Sequence, residues 1–92
     1  MKLYPFSAHK HAHDIEFMKN RCHNIISDME HGNIPWKDTE YDQLSERIDA
    51  LNDLLLAILS SCRDGRIAYL TGPQIGLAKE AVLWAAETRA KH

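Results

Sequence analysis

The sequence predicts an all-α domain, a small three-helix bundle built on a long antiparallel helical hairpin, with a homodimer as its expected assembly. Three observations predict it. Between residues 41 and 62, Tyr41, Leu44, Ile48, Leu51, Leu55, Ile58 and Cys62 recur at alternating spacings of three and four, the period of one helix face. Two further stretches of helical length carry apolar faces of their own, and Gly or Pro marks every junction between the three. The chain has 92 residues, 45% of them hydrophobic, enough for one domain of a size that often gains stability by self-association. Without an internal repeat, a low-complexity tract or a long linker, residues 1–92 read as a single unit.

Taken in order, the chain opens with a short extended arm in which Tyr4, Pro5 and Phe6 are expected to pack on the bundle. Ser7 stands as the N-cap of a first helix at about residues 8–31, with Ala8, Ile15, Met18, Cys22, Ile25 and Met29 on one face and Gly32-Asn33 as its stop. The loop through Pro35 and Trp36 is short, so the second helix should fold back antiparallel to the first, with Trp36 over the hairpin end. Asp38 or Thr39 is the expected cap of that helix, Thr39 and Asp42 being spaced as an acidic variant of a capping box. It should run over about residues 39–63, ended by Asp64-Gly65. Residues 64–72 are a connector in which Ile67, Tyr69 and Leu70 suit either an extended segment or a helical turn. Thr71, with Pro73 and Gln74, then starts a third helix at about residues 73–90.

Formal charge is −2, and it is unevenly spread. The stretch 35–64 holds three basic and seven acidic residues. No segment clusters Lys and Arg as nucleic-acid binding requires, so direct contact with nucleic acid is not expected. The longest apolar run, Leu54 to Leu59, is six residues, against roughly 20 for a membrane span. The N-terminus lacks the apolar core of a signal peptide, which makes the cytoplasm the expected location.

Around Leu54 to Leu59 the apolar residues point to nearly the whole helix circumference, more than a single neighbour covers. Leu54, Leu56 and Leu59, together with Trp84 of the third helix, are therefore the expected core or dimer contacts, unless the arm at Leu3 to Phe6 folds over these leucines. Cys22 and Cys62 lie roughly 20 Å apart along a hairpin of this register, too far for a disulfide. They read as reduced core thiols.

Two polar patterns bear on function. His9, His13, Glu16, His23 and His31 share a stripe of the first helix, and His9 with His13 has the i, i+4 spacing of a metal clamp, Glu16 being a third candidate ligand. The stripe lacks the His-Glu-x-x-His pattern, no Cys-x-x-Cys pair occurs, and a solvated face explains it as simply. Opposite the heptad seam, Asp42, Glu46, Asp49 and Asp53 are spaced four, three and four, one ridge about 16 Å long. Such a row is ordinarily a solvated face. Its functional reading is a docking ridge for a protein partner with a basic surface, the carboxylates taking places otherwise held by nucleic-acid phosphates.

No phosphate-cradling glycine loop and no Ser/His/Asp or Cys/His set can be assembled, so no enzyme is expected, and no cofactor. The leading expectation is a small interaction or inhibitor module, of the kind frequent among phage and mobile-element accessory proteins that block nucleic-acid-targeting defence complexes. The alternatives are a helix-turn-helix-like DNA-binding regulator, for which the third helix offers only Lys79, Arg89 and Lys91, and a histidine-rich metal-binding protein.

Overall fold

A strand runs directly into the first helix. In a computed structural model that describes residues 2–62 and 64–91, the elements are β1 (Tyr4–Ser7), α1 (Ala8–Glu30), α2 (Asp38–Ser61), β2 (Ile67–Leu70) and α3 (Gly72–Ala90). The protein is mostly helical, with three helices, as the periodicities require. The expected helical bundle is accompanied by a two-stranded antiparallel sheet, in which Tyr4 faces Leu70 and Ser7 faces Ile67. Phe6, Ala68 and Leu70 are buried, whereas Pro5 and Tyr69 are exposed. Pairing closes the open side of the core with one short apolar segment from before α1 and one from between α2 and α3. Pro5 has no N–H to offer, and its cross-strand neighbour Tyr69 donates its own N–H to Ser61 Oγ at 3.1 Å. Proline is tolerated there because the strand is an edge.

The helix ends follow local chemistry. At the end of α1 the Asn33 N–H reaches the Asp28 carbonyl at 2.9 Å and the Gly32 N–H the Met29 carbonyl at 3.1 Å. Gly32 has φ of +74°, the left-handed turn of a Schellman stop. Ser7 occupies the N-cap of α1, but its side chain makes no capping bond. α2 begins at Asp38 with Lys37 as N-cap and no side-chain cap, so neither Asp38 nor Thr39 caps it. Asp38 instead accepts a hydrogen bond from Trp36 Nε1 at 2.7 Å. The helix stops at Ser61, with Cys62 extended; the expected end at Arg63 falls outside the described residues. Asp64 then accepts the N–H groups of Arg66 and Ile67 at 3.0 and 3.4 Å. Thr71 and Gln74 form the expected reciprocal capping box at the start of α3.

The three helices run up, down and up. Tyr41 donates to Glu30 Oε1 at 3.0 Å across the hairpin tip, while Arg89 of α3 pairs with Asp14 and lies over the Phe17 ring of α1. The core joins Ile15 and Met18 of α1, Leu51, Leu54 and Ile58 of α2, Phe6, Ala68 and Leu70 of the sheet, and Ala78, Ala81 and Ala85 of α3. Leu54 is thus a core residue. Alanines at spacings of three and four let α3 approach α1 closely, and Thr88, next on that face, donates to the Trp84 carbonyl at 2.8 Å. α1 packs on both partners, and α2 and α3 meet each other far less. As a result Tyr41, Leu44 and Ile48, in the first half of the α2 seam, are only half-buried; in the second half Leu51 and Ile58 are sealed, Leu55 and Cys62 stay half-buried, and Leu54, beside the seam, is buried.

Candidate interaction surface

The four ridge carboxylates stand on the face of α2 turned away from the core, because a helix that buries Leu51, Leu54 and Ile58 must present positions 42, 46, 49 and 53 on the opposite side. Asp42, Glu46, Asp49 and Asp53 are all exposed. No hydrogen bond or ion pair ties any of them to another described residue. Beside them, α2 and α3 frame an open groove of about 640 Å³, lined by Glu40, Leu44, Glu46, Arg47, Ala50 and Trp84 among others. Arg47 crosses this groove. Its guanidinium sits 4.1 Å from the Trp84 ring centroid and donates to Glu80 Oε1 at 3.4 Å. Trp84, half-buried, is therefore a groove wall packed against the core.

The hairpin tip adjoins the ridge. Trp36 stacks on Tyr41 with ring centroids 4.6 Å apart, yet remains 49% exposed. The Tyr41 hydroxyl is held above its ordinary pKa by its hydrogen bond to Glu30 and the carboxylate charge beside it. Leu56 and Leu59 are 56% and 76% exposed, since the N-terminal arm pairs with β2 and does not fold over them. A second, more apolar groove of about 410 Å³ lies between β1 and α3, with Phe6, Val82 and Leu83 on its walls and His11 and Lys79 at its rim.

His9, His13, Glu16 and His23 are exposed on α1, and His31 is exposed at its C-cap. Among the described residues no three His, Cys, Asp or Glu side chains are grouped as a metal ion would need, so His9, His13 and Glu16 are not brought together as a ligand set. His31 has its own local partner, with Nδ1 2.7 Å from the Ser27 carbonyl. His11 faces the apolar side, its ring 5.6 Å from that of Phe6. Both cysteines are free thiols, Cys22 buried and Cys62 half-buried. Burial raises the Cys22 pKa, against the opposing pull of the nearby Arg47 and Arg21 charges, so its sulfur is held as an unreactive thiol. On α3, the basic residues Lys79, Arg89 and Lys91 do not form a free patch, because Arg89 is spent on Asp14 and Phe17.

Sequence reasoning found the ridge but not the groove. Glu80 and Trp84 share a face of α3 by their spacing of four, a legible signal, but their meeting with Arg47 depends on how α2 and α3 are set against each other. No helix among the described residues is long and apolar enough to cross a membrane. Comparison with known proteins returns no matching family model, curated protein or solved structure.

Proposed function

We propose that the chain is a non-enzymatic interaction or inhibitor module that docks the outer face of α2 onto a basic protein surface. One observation carries this reading: Asp42, Glu46, Asp49 and Asp53 form an exposed row with no cation among the described residues to neutralise it. Like charges at i, i+4 cost an isolated helix roughly 0.2 to 0.5 kcal/mol per pair, so the row gains nothing for local stability. What it supplies is a line of negative charge that attracts a cationic groove and speeds encounter with it. A basic surface of this kind is ordinarily the seat of nucleic-acid phosphates, and a rigid helix carrying carboxylates competes for it. A phage or mobile-element accessory protein that silences a nucleic-acid-targeting defence complex is the setting this mechanism suits, in the cytoplasm.

The test is capture of partners on immobilised protein, compared with the double variant Asp49→Lys, Asp53→Lys. The variant should keep its circular dichroism spectrum and lose the partner. The captured partner should also lose its hold on nucleic acid when the unaltered chain is added. Capture that survives the charge reversal at both low and high salt rules the ridge out as the docking surface.

A further inference from the structure

We infer that the groove between α2 and α3 binds a basic amphipathic segment of a protein partner, with its apolar side chains on Leu44 and Ala50 beside Trp84 and its lysine or arginine side chains on Glu40 and Glu46. The inference deepens the docking reading and rests on it, since Glu46 belongs to both the ridge and the groove wall. Three features of the groove specify this occupant.

The groove is of mixed lining, with Gln43 and Arg47 beside its apolar residues, and its apolar part is incompletely covered. Leu44, Ala50 and Trp84 are half-buried, because α3 packs its alanine face on α1 and leaves the first half of α2 open on one side. A segment laid there completes the burial that the fold begins. The walls are acidic. Arg47 is engaged by Glu80 and the Trp84 ring, which leaves Glu40 and Glu46 as exposed carboxylates without a cation among the described residues. An anionic ligand is repelled, and a second copy docked groove to groove brings the same carboxylates face to face. Arg47 also displays the mode of recognition within the chain itself: a guanidinium over the Trp84 ring with the Glu80 carboxylate bonded to it, an arrangement in which an aromatic face and an acid share one cation.

The test uses the full chain carrying Trp36→Phe, so that Trp84 is the only tryptophan of the two, and an amphipathic lysine-leucine peptide of about 14 residues, roughly 21 Å long as a helix. The peptide carries a dansyl group for a parallel anisotropy reading and no tryptophan or tyrosine. Titration should change the Trp84 emission saturably, and added salt should weaken binding. Glu40→Lys should raise Kd about tenfold, while Glu16→Lys, on the exposed face of α1 and outside both ridge and groove, should change it less than about twofold. If Glu40→Lys disturbs folding, Glu40→Gln should give a smaller loss in the same direction.

Several results overturn the inference. Binding seen by anisotropy with unchanged Trp84 emission puts the peptide elsewhere. Binding that is lost on reversing Asp49 and Asp53 but kept by Glu40→Lys assigns it to the ridge alone, which leaves the docking reading standing without the groove. A Trp84 shift that grows with protein concentration in the absence of peptide, and persists with a dimeric mass in the Leu59→Glu variant, makes the groove a contact between copies of this chain. No binding by either signal removes the groove as a peptide site.

Discussion

The guanidinium of Arg47 lies 4.1 Å from the ring centroid of Trp84, with Glu80 at its edge, and so bridges the two helices of the bundle that touch least. A cation on an aromatic face is worth about 0.5 to 1 kcal/mol at an exposed site, whereas an exposed ion pair contributes 0 to about 1 kcal/mol and is screened by salt. Arg47→Ala should therefore lower stability by about 1 kcal/mol, and Glu80→Gln by only a few tenths. Urea denaturation of the two variants checks the ranking; an equal loss from both would make the ion pair, and not the ring, the main contact.

The caps separate in the same way. Thr71 and Gln74 exchange hydrogen bonds at the start of α3, so Thr71→Ala should cost about 1 kcal/mol. Ser7 sits at the corresponding position of α1 without a capping bond, and Ser7→Ala should leave the thermal midpoint nearly unchanged. Paired melting curves decide it.

Ala81 is buried against α1, with Ala78 and Ala85 on either side of it on the same face. A larger side chain pushes α3 away from Ile15 and Met18, and Ala81→Leu should destabilise by about 1 to 3 kcal/mol. The opposite change, Met18→Ala, opens a cavity under Thr88 and should cost about 2 to 5 kcal/mol. Denaturant midpoints measured under one set of conditions give both values.

Stability should fall at both ends of the pH range. The Tyr41 pKa is raised from its ordinary 10.0 by the bond to Glu30. That contribution is complete below the unfolded value and is lost as pH rises through the raised folded one. Asp64 is lowered from 3.8 by accepting the Arg66 and Ile67 N–H groups, so its contribution is present above the unfolded value and is lost as pH falls through the lowered folded one. Tyr41→Phe should delete the alkaline dependence assigned to the hairpin tip, and Asp64→Asn the acid dependence assigned to the turn before β2. Denaturant unfolding measured across pH for each variant tests the assignment.

Leu56 and Leu59 remain exposed after folding, and burying a leucine fully is worth roughly 1.5 to 3 kcal/mol. Self-association through this patch is the expected consequence. Light scattering at micromolar concentration should return a dimer mass that Leu59→Glu reduces to that of a monomer; a monomeric mass for the unaltered chain removes the patch as an interface.

The sequence by itself determined the three helices, the stop at Gly32, the capping box at Thr71, the heptad seam and the position of the carboxylate ridge opposite it. All of these are written in residues a few positions apart, because helix periodicity and caps are local. It also named Leu54, Leu56 and Leu59 together, of which folding buries the first and leaves the other two exposed. Only the tertiary structure decided that the arm and the connector form one sheet, since each strand is four residues, too short for a clear alternation, and their pairing joins segments separated by the whole of α1 and α2. It likewise decided the groove. Whether Arg47 meets Trp84 depends on the angle at which an alanine face lets α3 settle on α1, and that angle is set by packing among all three helices, which no local spacing records.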